Sequence, residues 1–118
     1  MNILVTTIGL TREGKTTELL EHVNNICKND EDNNLNLIFF TTEESIEGIQ
    51  NKLKNSDKVK VIFINNKFEI IEYIKNKCVD NSSVVFIDNI DLLELRLEEL
   101  DRLISNFQFD CYCTITRI

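Results

Sequence analysis

Residues Gly9 to Thr16 read Gly-Leu-Thr-Arg-Glu-Gly-Lys-Thr, and the G-x-x-x-x-G-K-[ST] spacing suits the capture of a polyphosphate. In such a loop, backbone N–H groups turn inward on phosphate oxygens at the start of a helix. There, unsatisfied donors and the macrodipole both favour an anion. Gly9 and Gly14 allow the backbone angles and the close approach that a Cβ would forbid. The expected phosphate contacts are Gly9, Leu10, Thr11, Arg12, Glu13, Gly14, Lys15, Thr16 and Thr17. Lys15 would reach the β- and γ-phosphates and stabilise charge on a transferred phosphoryl group, and the Thr16 hydroxyl would ligate Mg²⁺. The plain alternative is a glycine that merely precedes a helix and a solvated helix lysine. What separates the two is context, since the loop needs a strand before it and a helix behind it.

A nucleotide metal also needs a carboxylate at the mouth of a nearby strand, and Asp88 is placed to supply it. Val84, Val85, Phe86 and Ile87 lead into Asp88, the arrangement of a hydrophobic run ending in Asp that holds Mg²⁺ in nucleotide-hydrolysing enzymes. With its strand beside the first, Asp88 would lie across from Thr16, and the expected metal ligands are Thr16 and Asp88. Otherwise Asp88 simply ends a strand and caps the next element. The following residue is Asn89, an amide and hence a poor base for activating water. Either nucleotide is bound without turnover or the base comes from another strand. Glu43 and Glu44 stand at the carboxyl end of the second apolar run. Their other reading is as acids of a helix N-terminus capped by Thr41 or Thr42.

The elements that must position these groups are legible as periodicity. Asn2 to Ile8 is β-branched and apolar, a buried strand, and Thr17 to Cys27 has helical spacing. Leu35 to Thr41 is a second strand, followed by a helix with Ile46, Ile49 and Leu53 on one side. Val59 to Ile64 is a third strand, and Ile70, Ile71, Ile74 and Cys78 mark a third helix. Ser83 to Asp88 is a fourth strand, continuous in its hydrophobicity and so buried on both faces. Leu93, Leu97, Leu100, Ile104 and Phe107 recur at helical spacing, and Asp110 to Arg117 closes as a fifth strand. Alternating strands and helices predict an α/β fold, a three-layer αβα sandwich on a mainly parallel sheet with ligands at the carboxyl ends of the strands. The Asn- and Asp-rich stretch from Asn29 to Asn34 reads as a solvated turn.

At 118 residues the chain has the length of one domain, 1–118, large enough for a single core. Its net charge is -7, and its thirteen basic residues are scattered, which predicts poor nucleic-acid binding by this chain alone. The four cysteines, Cys27, Cys78, Cys111 and Cys113, form no C-x-x-C pair, and the single histidine, His22, is not at zinc spacing. They are expected to be reduced core residues, with Cys111 and Cys113 on one face of a strand and Tyr112 on the other. No signal peptide or membrane-length apolar stretch is present in the sequence, so a cytoplasmic protein without membrane contact is expected.

Together these segments resemble the RecA-like core of P-loop NTPases, and within it the motor domain of DnaB-type replicative helicases. Phe40-Thr-Thr-Glu-Glu-Ser45 is similar to the segment that carries that family's catalytic glutamate, which implies Glu43 in that role. Ile64 to Ile74 resembles the segment after the family's third strand, Ile87-Asp-Asn-Ile-Asp-Leu92 its Walker B region, and Cys113-Thr-Ile-Thr-Arg117 its closing strand. Where the family has a glutamine that senses the γ-phosphate, this chain has Thr114, too short to span the same gap. The sequence ends at Ile118, before the family's basic finger and DNA-gripping loops, and it lacks the collar domain, so a complete hexameric helicase is not expected. Arg12 and Arg117 are the only arginines near the expected nucleotide edge. Gly14-Lys-Thr-Thr-Glu-Leu-Leu20 is also similar to the phosphate loop of thymidine kinases, but Asn89 and the absence of paired cysteines depart from that family.

The resemblance implies a Walker A and Walker B site that binds ATP with Mg²⁺ and hydrolyses it slowly or not at all. It further implies self-association or docking onto a larger replication ATPase. Two alternatives stay open. One is a non-enzymatic interaction or regulatory module on the same fold, as in a phage or mobile element. The other is a small nucleoside-kinase-like phosphotransferase.

Overall fold

In the computed structural model of the chain, residues 3–10, 15–30, 34–42, 46–54, 56–76 and 82–117 are described. Strand β1 (Leu4–Leu10) leads to helix α1 (Lys15–Asn29), β2 (Asn36–Thr41) to α2 (Ile46–Lys52), and β3 (Val59–Phe63) to α3 (Lys67–Asn76). A short 3₁₀ turn, Ser56–Lys58, precedes β3; β4 (Ser83–Ile87), α4 (Leu97–Phe107) and β5 (Asp110–Arg117) complete the order. Every strand pairing is parallel, and the sheet runs β1-β5-β4-β2-β3.

The continuous apolar runs of β2 and β4 are explained by this order. Both strands have two neighbours and helices on both faces, so alternate residues enter opposite cores. Leu37, Phe39, Val84 and Phe86 pack with Leu19, Leu20, Val23 and Cys27 of α1 and with Ile49 of α2. Ile38, Phe40, Val85 and Ile87 pack with Ile70 and Ile74 of α3 and with Leu100, Leu103 and Ile104 of α4. The expected α/β sandwich with helices on both faces of a parallel sheet is therefore what the chain forms. Cys111 and Cys113 join the α3/α4 core and Tyr112 packs toward the α1/α2 core, as strand alternation requires. Cys27, Cys111 and Cys113 are buried free thiols, and Cys78 lies outside the described residues. Burial pushes the Cys111 and Cys113 thiols up, away from the reactive thiolate.

Several boundaries differ from the sequence reading, and three elements shift by two residues or more. The first strand is shifted along the chain to Leu4–Leu10, so Gly9 and Leu10 belong to it, paired with Thr116 and Arg117. Helix α1 begins at Lys15, ahead of Thr17. The last helix begins at Leu97 and not at Leu93, because Asn89 and Glu94 both take left-handed backbone angles (φ 55°) and break the helical path. Between them a tight turn closes, with the Leu95 N–H donating to the Ile90 carbonyl at 3.0 Å. Leu93 is still buried, and this is why its spacing reads as helical.

Helix α4 is held at its start by Glu99, which accepts the Arg96 N–H at 3.3 Å, and Lys67 of α3 lies 3.1 Å from both Glu99 carboxylate oxygens. The Lys67 hydrogen bond, then the Arg96 N–H, hold the Glu99 carboxyl below its ordinary value. A lowered folded pKa adds stability that is complete above the ordinary glutamate value and is lost as pH falls through the folded one. Glu99→Gln should therefore lower stability at pH 7 by about 0.5 kcal/mol. The gap from wild type, read as urea midpoints, should close as the buffer is taken below the ordinary value of 4.5.

Candidate functional site

The carboxyl ends of the strands bring together what the sequence separates. Helix α1 lies over β5, where His22 meets Tyr112 with ring centroids 5.0 Å apart, and this sets its first turn above the end of the sheet. Asp88 follows β4 directly, on the same face as Val84 and Phe86. The Thr16 hydroxyl donates to Asp88 Oδ2 at 2.7 Å across 72 residues of chain.

One expectation about this site is corrected. Asp88 does not sit on a strand beside β1, because β5 lies between β1 and β4. Thr7 of β1 pairs with Thr114 of β5, and Ile87 pairs with Cys113, so Thr114 occupies the row between Thr7 and Asp88. Thr16 still reaches Asp88 because α1 crosses over the intervening strand.

β5 also supplies polar groups. The Thr114 hydroxyl donates to Asp88 Oδ1 at 2.6 Å and accepts the Asn89 N–H at 2.7 Å. The Thr116 hydroxyl donates to Asn89 Oδ1 at 2.7 Å, and its N–H donates to Asp91 Oδ1 at 3.0 Å. Asp88 is 2% exposed and Thr114 fully buried. A carboxylate this deep needs hydrogen bonds to offset lost hydration, and each of its oxygens has one. The left-handed angle at Asn89 suits an asparagine and turns the chain so that its amide faces Thr116.

The sequence reading missed Thr114 and Thr116 as site residues. Their signal was there: two hydroxyl side chains two apart in a strand whose other positions are mostly apolar, on the face of Tyr112.

Among the remaining expected site residues, Gly9 and Leu10 end β1 and Thr17 lies in the first turn of α1. Lys15 opens α1 by its backbone, and its side chain is outside the description. Thr11, Arg12, Glu13, Gly14 and Glu43 lie outside the described residues, as does Glu44. Arg117 ends β5, and its side chain is likewise not described.

The donor set suits a hard cation. A hydroxyl and a carboxylate oxygen 2.7 Å apart are ligands of the kind Mg²⁺ accepts when phosphates and waters complete its shell. No three His, Cys, Asp or Glu side chains converge among the described residues, and a metal carried by nucleotide does not require them. No described helix is long and apolar enough to cross a membrane.

A scan against models of protein families found no match, and a search of curated proteins found none either.

Proposed function

We propose that this chain is a minimal RecA-like P-loop domain, similar to a DnaB-type motor core, that binds ATP with Mg²⁺ in the cytoplasm and turns it over slowly or not at all. The observation that carries the reading is the 2.7 Å contact between Thr16, last residue of the G-x-x-x-x-G-K-[ST] spacing, and Asp88, the acid that ends the hydrophobic run. The contact supports a shared role for the two segments at one metal.

In this reading the backbone from Gly9 to Thr17 cradles the phosphates and Lys15 meets the β- and γ-oxygens. Thr16 and Asp88 would hold Mg²⁺, which when bound would neutralise phosphate charge. Phe40 pairs with Ile87, so β2 ends at Thr41 on the edge where Asp88 stands, two residues before Glu43 in sequence. This supports Glu43 as the group that would orient water. Self-association, or docking onto a larger ATPase, would bring a basic group to the γ-phosphate.

The engagement of the Asn89 amide by Thr116 favours a second reading, a nucleotide sensor or scaffold that binds without hydrolysis. Calorimetric titration of ATP with and without Mg²⁺, followed by a phosphate-release assay, separates the two. Binding with measurable release supports the enzyme, binding without release supports the sensor, and no binding at millimolar ATP removes both. Glu43→Gln should leave MgATP affinity within about twofold and abolish whatever release the wild type shows; equal release by both would remove Glu43 from the mechanism.

A further inference from the structure

We propose that Thr114 is a positioning residue that holds the Asp88 carboxylate in the orientation that presents an oxygen to the metal. The inference rests on the magnesium–nucleotide reading and gives Thr114 a role in it that the family resemblance does not imply.

A hydroxyl has one proton and two lone pairs. At Thr114 the Asn89 N–H, 2.7 Å away, takes the acceptor side, so the proton is directed at Asp88 Oδ1, 2.6 Å away. The Asn89 N–H is itself held in place. The left-handed turn at Asn89 aims it, and the two bonds from Thr116, to Asn89 Oδ1 and to Asp91 Oδ1, pin that turn to the end of β5. The sequence of contacts runs from the β5 backbone through Asn89 to Thr114 and ends on one carboxylate oxygen.

The consequence is geometric. With Oδ1 engaged by a fully buried hydroxyl, rotation of the carboxylate would break a short bond that no water can replace. Oδ2 is left on the side of Thr16, where the metal and phosphates belong. A carboxylate free to turn about its Cβ–Cγ bond would spend part of its time with neither oxygen aimed at the metal, and outer groups that prevent this usually matter about tenfold or more.

The test compares the full chain with Thr114→Val and Thr114→Ser, measuring ATP affinity by calorimetry in Mg²⁺ and in EDTA. The quantity read is the ratio of the two affinities. Thr114→Val, which keeps the shape and loses the hydroxyl, should reduce the ratio about tenfold while the affinity in EDTA stays within about twofold. Thr114→Ser should restore the ratio. A role confined to packing would shift both affinities together and leave the ratio alone, and that result overturns the proposal, as does a serine variant as impaired as the valine. Should Thr114→Val fail to melt cooperatively, Thr116→Val at the partly exposed end of the network is read instead. There a drop of roughly two- to threefold supports the proposal and an unchanged ratio overturns it. Failure of the underlying reading is visible without any variant, because the wild-type chain would then bind no ATP or bind it equally in Mg²⁺ and in EDTA.

Discussion

Lys15→Ala should lower the affinity for MgATP by roughly 10- to 100-fold while leaving the protein as stable as before or slightly more so. Charge-assisted hydrogen bonds to phosphate contribute on the order of 1.5–3 kcal/mol, and each 1.4 kcal/mol is a factor of ten. Stability moves the other way. Lys15 opens α1, where the positive end of the helix disfavours a cation and alanine is the better helix former. Removing the ammonium should therefore raise stability by a few tenths of a kcal/mol. The opposite signs make the result hard to mistake for unfolding. Calorimetry gives the affinity and a denaturant melt the stability. An alanine variant that binds MgATP like wild type would make Lys15 an ordinary helix lysine and count against the proposed phosphate loop.

How far this site was legible in the sequence depended on the length over which each signal acts. Gly9 to Thr16 is contiguous, and Asp88 ends a run of apolar residues, so both stood out from local pattern alone. Strand order is a long-range property. Nothing local in Asp110 to Arg117 says that this last strand inserts between β1 and β4, and the expectation that Asp88 neighbours the first strand failed for that reason. The insertion is also what makes Thr114 part of the site, since only a strand between Thr7 and Asp88 can place a hydroxyl there. Thr114 read as a deficit when it was compared with a longer side chain. Its two short bonds could be recognised only with Asn89 in its left-handed turn. Leu93 shows a related limit: burial spacing continues through a tight turn, so periodicity extends the helix four residues ahead of its start at Leu97.

Phe86→Ala should destabilise the fold by about 3–5 kcal/mol, a large share of the 5–15 kcal/mol that holds a domain of this size together. Phe86 is fully buried and stands two residues before Asp88 on the same face of β4. Its ring stacks between Phe39 of β2, with centroids 6.3 Å apart, and Tyr112 of β5, at 5.4 Å, both inclined by 20°. The three rings span three adjacent strands beneath α1, so truncating the middle one removes apolar burial and two aromatic contacts at once. The hollow would lie under the helix that carries Thr16, because Leu19, Leu20 and Val23 of α1 share a core cluster with Phe86. Phe86→Leu, which fills more of the space, should be milder in stability, and its loss should fall more on Mg²⁺-dependent ATP binding than on binding in EDTA. Urea unfolding followed by the paired titrations measures both. A loss under about 1 kcal/mol for Phe86→Ala would mean that the ring layer is not packed as described, and the route by which α1 brings its hydroxyl to the carboxylate would have to be drawn again.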